Sequence, residues 1–318
     1  MLHCDHEHPR PPRGARVTLL LFIAATLRIS VPYTLAAVGA SFSERGGVIN
    51  IALEGLMLTG ALAYTLGAYA TGNPWLGLAA AVVAGLLMAA LHALVTVGFK
   101  ADQITSGLGI NLLALGLTKF ILTQVFHSSS NSSRVVGLPD WSLAGLERVP
   151  GLGAVLATPL VPITLALVLA GQWWIFRSVF GLRLRTMGER PEAGAALGLG
   201  VGAYRVGGVL ISGALAALGG AWLASEQHSS TDGMTGGRGY IALAAMIVGK
   251  WSPLGAAAAC LLFGAAEALQ ITLQGSRFPS ELLQTLPYVV TMLALAGLIG
   301  RAVAPRAIGV PYDAEGHE

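Results

Sequence analysis

Asn50 and Glu54 lie four positions apart at the start of a long apolar run, S-F-S-E-R-G-G-V-I-N-I-A-L-E-G-L-M-L-T-G-A (41–61). On a helix that spacing puts both side chains on one face. A carboxylate in a bilayer costs roughly 3 kcal/mol or more, so Glu54 must meet a cavity, a polar partner or an exposed backbone amide. The pair therefore either lines a path for a polar solute or joins helices through hydrogen bonds. Asn111, in the middle of a glycine-rich apolar run, adds a neutral amide able to bond a sugar hydroxyl or a base. Arg28, His92, Lys119, Glu267, Gln270 and Gln274 are also embedded in apolar sequence. Most such groups make contacts between helices, worth about 0.6–2 kcal/mol each. Arg28 and Lys119 are long enough to reach an interface instead. Glu44 and Arg45 read as an adjacent ion pair at a membrane boundary.

A second constellation runs from Arg177 to Arg205, where Arg177, Arg183, Arg185, Arg190 and Arg205 form the densest cationic stretch of the chain. A short loop this basic between apolar runs belongs on the cytoplasmic side. It contains a short helix signal: Pro191 suits the first helical position, Glu192 complements the positive end, and Gly198 can end the helix. Ala193, Ala196 and Leu197 then share a small apolar face. A helix of this kind outside the membrane is shaped to enter a groove on another protein. An ordinary interfacial loop is the plainer alternative.

The elements that carry these residues are set by composition. Of 318 residues, 54% are hydrophobic and only 11% charged; the mean hydropathy is +0.68. A soluble domain carries about 25% charged residues, so the chain reads as an all-α, polytopic membrane bundle. About nine hydrophobic segments are expected, at 17–41, 47–71, 75–98, 104–126, 155–176, 206–225, 236–250, 254–274 and 282–300. Residues 1–16 form a His- and Pro-rich tail, 17–304 the transmembrane domain, and 305–318 a C-terminal tail. With the basic loop inside, Lys100, Lys250 and the C-terminus fall inside, and the uncharged S-S-S-N-S-S run near 130 falls outside. Counting back through nine segments puts the N-terminus outside, against the placement of Arg10, Arg13 and Arg16; with one glycine-rich segment re-entrant, the tail is inside instead. The stretch Met234–Gly239 reads as a glycine-rich external mouth or a flexible turn.

An internal echo supports the count. I-A-L-E-G-L-M-L-T-G-A (51–61) resembles I-A-L-A-A-M-I-V-G-K-W (241–251), and each is followed by a proline, L-G and an alanine-rich run. Segments one to four then mirror six to nine in the opposite direction, as transporter repeats often do.

Several chemistries find no support. No G-x-x-x-x-G-K-[ST] loop occurs, so the chain is not expected to hydrolyse ATP. Neither H-E-x-x-H nor G-x-S-x-G appears, which removes the support for an intramembrane hydrolase. His3, Cys4, His6 and His8 are possible metal donors, but an incidental flexible tail is the simpler reading. Cys4 and Cys260 lie too far apart to suggest a disulfide framework. No cofactor and no metal are expected.

The motifs carry a resemblance. G-L-R-L-R-T-M-G-E-R-P-E-A-G-A-A-L-G (181–198) resembles the coupling loop of permease subunits of ATP-binding-cassette importers, in the branch serving nucleosides and simple sugars, related to the branched-chain amino acid permeases. E-R-G-G-V-I-N-I-A-L-E-G-L-M-L-T-G-A (44–61), A-D-Q-I-T-S-G-L-G-I-N-L-L-A-L-G-L (101–117), M-T-G-G-R-G-Y-I-A-L-A-A-M-I-V-G-K-W-S-P-L-G (234–255), L-P-Y-V-V-T (286–291) and I-G-V-P-Y (308–312) resemble the same branch. The resemblance implies a transport subunit, not an enzyme, that carries a nucleoside or a simple sugar across a bacterial inner membrane. It implies a cytoplasmic ATPase docked on Arg185, Gly188, Glu189, Pro191, Glu192, Ala196 and Gly198. It also implies a second permease subunit and an external substrate-binding protein. Asn50, Glu54 and Asn111 are the expected pathway residues. An independent secondary transporter, with Glu54 or Glu267 as a proton site, is the alternative.

The sidedness is testable with single cysteines in a chain lacking Cys4 and Cys260. An impermeant thiol reagent on intact cells is expected to label Ser130→Cys and to spare Thr186→Cys. The reverse pattern overturns the orientation.

Overall fold

Capping residues and glycines divide the apolar sequence into helices. The computed structural model describes residues 15–141, 153, 158–274, 280–293, 296 and 303–313. Its helices are α1 (Ala15–Arg45), α2 (Leu53–Thr71), α3 (Pro74–Ala93, running into a π turn at Leu94–Gly98), α4 (Gln103–Phe126), α5 (Leu160–Arg177), α6 (Val179–Glu189), α7 (Pro191–Ala196), α8 (Val201–Gln227), α9 (Arg238–Val248), α10 (Pro253–Leu273) and α11 (Ser280–Leu293). Asn73 and Ser252 cap α3 and α10 in the same way, each accepting a backbone N–H two or three residues on, with proline at the first helical position. Asp102 caps α4 by accepting the Thr105 N–H at 2.7 Å. That bond holds its carboxyl below the usual carboxylate range.

Six of these helices are long and apolar enough to cross a membrane: α1 from Leu19, α3 with its π turn, α4, α5, α8 and α10. The helices α9 and α11 are apolar but shorter. The helix ends differ from the sequence expectation at several places. The second apolar segment was expected from residue 47, yet α2 starts at Leu53, because Gly47 takes φ +91° and the chain runs on without helix to residue 50. The helix α6 was not anticipated. For the last segment, expected over 282–300, the described residues place α11 over Ser280–Leu293. His3, Cys4, His6, His8, Arg10, Arg13 and Arg301 lie outside the described residues.

At the centre is α8, packed against α1, α2 and α3, while α1 in turn packs against α9 and α10. The approach of α8 to its neighbours depends on missing side chains. A methyl group at Gly220 would stand 1.7 Å from the Met57 carbonyl oxygen, and one at Gly60 would stand 2.3 Å from that of Ala217. Without water to drive helices together, such close backbone contact supplies the dispersion energy that holds a membrane bundle. Tyr64, Phe42 and Phe263 fill the wider gaps and are fully buried.

The two ends of the bundle differ. At one end, α6, which leads into α7, meets the C-terminal end of α1: a methyl at Gly188 would lie 2.3 Å from the Arg45 carbonyl oxygen. Lys250, Lys100 and residues 303–313 gather at this same end. At 31 residues, α1 extends about 46 Å, which carries its N-terminal end to the opposite side. There, residues 131–138 pair with 225–231: the Ser132 N–H donates to the Ser230 carbonyl at 2.8 Å and the Val135 N–H to that of His228 at 2.8 Å.

Substitutions at two glycines separate packing from helix propensity. Gly220→Ala forces α2 and α8 apart and is expected to cost about 1–3 kcal/mol, seen as a lower unfolding midpoint in detergent. Gly116→Ala, where nothing lies within 4 Å, should leave the midpoint unchanged or raise it by the equivalent of about 0.5–1 kcal/mol. Equal effects at both positions would contradict this packing.

Candidate functional site

The non-helical stretch before α2 runs into the bundle, where its backbone groups must be paired by protein. The Ile49 N–H donates to Gln103 Oε1 at 2.7 Å, and the Ile49 carbonyl lies 3.3 Å from His92 Nε2. His92 Nδ1 is 2.9 Å from Ser106 Oγ. Ser43 Oγ donates to the Val48 carbonyl at 2.8 Å. Asn111 closes the sequence of contacts: its Nδ2 donates to the Ile51 carbonyl at 3.0 Å, and its Oδ1 accepts the Gly55 N–H at 2.8 Å. Asn50 turns the other way and donates from Nδ2 to Ser212 Oγ on α8 at 2.8 Å. Its Oδ1 is buried without a hydrogen-bond partner.

Glu54 meets the first turn of α9. Its Oε1 accepts the Gly237 N–H at 2.8 Å and its Oε2 the Gly239 N–H at 2.7 Å. The helix has no side-chain cap of its own, because Gly237 stands at the cap position with φ +85°. Glu54 thus supplies from α2 what a local Asp or Ser supplies elsewhere, and its charge complements the positive helix end. The backbones are close enough that a methyl at Gly239 would lie 2.4 Å from the Glu54 nitrogen. Asn111 Nδ2 also donates to Tyr240 Oη at 3.0 Å. Glu54 and Asn111 therefore meet the same short helix, whereas Asn50 contacts α8.

Arg238 ties that helix to α10 by donating from Nη2 to Glu267 Oε1 at 2.9 Å. Tyr33 Oη on α1 donates to Glu267 Oε2. Sequence reasoning singled out Glu267 but missed Tyr33, Gln103, Ser212 and Tyr240. Only Gln103 left a signal, as an amide beside a helix start in A-D-Q-I-T-S-G; the others look like ordinary helix residues. Glu44 and Arg45 do not pair as expected. Neighbours on a helix diverge in direction, so Glu44 Oε2 accepts Trp251 Nε1 at 2.6 Å while Arg45 donates to the Trp251 and Lys250 carbonyls at 2.8 and 3.0 Å.

The basic loop forms an elbow. Ser178 caps α6 by accepting the Gly181 N–H at 3.0 Å, and Pro191 opens α7. Gly198, at φ +75°, follows its end. Arg185 and Arg45 stack on the Phe176 ring, with guanidinium carbons 5.1 and 5.5 Å from its centroid. Arg183 donates to Tyr204 Oη at 2.9 Å. Gly188 and Pro191 are buried, whereas Glu189, Glu192, Ala193, Ala196 and Gly198 are exposed. Leu197 is 78% exposed, leaving the small apolar face of α7 uncovered. Residues 303–313 strap the elbow from below: the Ala307 N–H donates to the Gly188 carbonyl at 2.8 Å, and Lys100 pairs with Asp313 at 2.7 Å.

The described residues thus form an all-helical bundle with six helices long and apolar enough to cross a membrane, a polar cluster inside and an uncovered helical elbow at one end. Residues 22–295 match the family described as branched-chain amino acid transport system / permease component, and the chain belongs to it. It is 40% identical to the nucleoside ABC transporter permease protein NupC of Lactococcus lactis, over 93% of this chain and 97% of that one. It is 41% identical to the guanosine ABC transporter permease protein NupQ of Bacillus subtilis, over 92% and 97%. Its fold is similar to a solved inward-facing transporter assigned to the metal-chelate type of ABC transporters, with TM-score 0.50 and 16% identity over 87% of this chain and 85% of that one.

The Glu54 contacts lead to a paired test. Glu54→Gln keeps an acceptor for one amide and should retain most assembled protein; Glu54→Leu leaves both amides unpaired and should cost about 2–5 kcal/mol, seen as loss of folded protein. Uptake per assembled molecule separates a pathway role from a purely structural one. Normal specific uptake and selectivity in both variants would exclude Glu54 from the pathway.

Proposed function

We infer that this chain is the permease subunit of an importer that moves a nucleoside across a bacterial inner membrane, driven by a separate ATPase. The carrying observation is the match over more than nine-tenths of both chains to two nucleoside permeases. The elbow α6–α7 is the docking surface for that ATPase, with Arg185, Gly188, Glu189, Pro191, Glu192, Ala196 and Gly198 at or beneath the contact. Support comes from the uncovered Ala193, Ala196 and Leu197 on a helix otherwise held by buried Pro191 and Gly194. A second permease subunit and an external binding protein complete the assembly. Asn50, Glu54 and Asn111 border the pathway, where they hold the broken backbone beside it in shape.

The reading extends to topology. The chain crosses the membrane about nine times between the 1–16 and 305–318 tails, and the segments before and after α5 form an inverted repeat. Reciprocal packing supports this: α8 packs against α2 and α3 as α1 packs against α9 and α10. The matching Asn73-Pro74 and Ser252-Pro253 helix starts support it as well.

Docking is tested by Ala196→Glu, which puts a charge into a small apolar contact. ATP-driven uptake by the complete transporter in vesicles is expected to fall at least tenfold, with membrane insertion unchanged. Undiminished uptake would remove the elbow from the coupling path.

A further inference from the structure

The ion pair Arg238–Glu267 separates two cavities, and both residues line each of them. One, of about 460 Å³, lies between α1 and the end of α8 and is bordered by Pro32, Trp222 and Glu226. The other, of about 290 Å³, lies among α1, α9, α10 and α11 and is bordered by Tyr33, Gln270, Gln284 and Tyr288. Together they fall in the size range of small-molecule sites, about 300–1,000 Å³.

Ionised side chains inside a membrane bundle are costly and tend to mark solute paths. This pair is not sealed: the Arg238 and Glu267 side chains keep 28% and 18% of their exposure, and both line the cavities. The smaller cavity also gathers two amides and two phenols around the carboxylate. We propose that the cavities flanking Arg238–Glu267 form a binding site for an uncharged nucleoside. This rests on the importer reading above and assigns its substrate to particular residues.

The chemistry selects the ligand class. A carboxylate already held by Arg238 and Tyr33 accepts hydrogen bonds from a ribose diol without changing its charge. The Gln270 and Gln284 amides offer both donors and acceptors to the edge of a base, and the exposed Tyr288 offers a flat ring to its face. The pair sums to zero charge, so a nucleotide would bring an uncompensated phosphate into a low-dielectric site. A sugar alone would satisfy the carboxylate but leave the aromatic and amide surfaces unused.

The test uses the complete transporter with its partner subunits and radiolabelled guanosine. Gln270→Leu combined with Gln284→Leu leaves the ion pair intact. It is expected to raise KM for guanosine about tenfold, the equivalent of two ordinary hydrogen bonds, with complex assembly unchanged. An unchanged KM in this variant overturns the site while leaving the importer reading in place. Absence of nucleoside uptake by the unaltered transporter overturns both. Should the double variant fail to assemble, Gln284→Cys in a chain lacking Cys4 decides the matter. Guanosine is expected to slow its reaction with a thiol reagent at least threefold; no protection overturns the site.

Discussion

The Glu54 carboxylate on the first turn of α9 is the contact on which the interior of the bundle depends. A helix that begins among other helices has amides with no partner in its own chain, and lipid offers none. Two of them are met by one side chain from α2. From the same turn, Arg238 reaches α10 and Tyr240 meets α4. One short helix is thereby held to elements from both halves of the chain, and its position fixes the polar cluster and the cavities beside it.

That arrangement explains how the polar residues divide their work. His92, Gln103 and Asn111 pair with the backbone around residues 49–55. Arg238, Glu267 and Tyr33 form a separate group that opens to cavities. The first group replaces the hydrogen bonds a continuous helix would make for itself. The second borders open space on two sides, which the first does not.

Much of this was legible in the sequence because membrane composition and turn chemistry act locally. Pro74, Pro191 and Pro253 each open a helix as their positions imply, and the apolar runs lie on helices to within a few residues. The partners of Glu54 were not legible, because they are backbone amides 183 and 185 residues away. A backbone donor has no letter in the sequence. Tyr33 was hidden for a related reason: a tyrosine in an apolar helix looks like packing until the fold brings Glu267 beside its hydroxyl. Likewise α6 was masked by its arginines, which suggest a loop until Phe176 appears beneath Arg185.

The strap formed by residues 303–313 has a consequence for the order of biosynthesis. Its backbone bonds to Gly188 and Gly47, and the Val310 carbonyl accepts Arg205 Nη1 at 2.8 Å. A chain emerges from the ribosome N-terminus first, so the strap is made after every helix from α1 to α11. Until then the elbow lacks one wall and the Arg205 guanidinium lacks that acceptor. The elbow is therefore enclosed only once all the described helices have been made, and a half-made chain leaves it open.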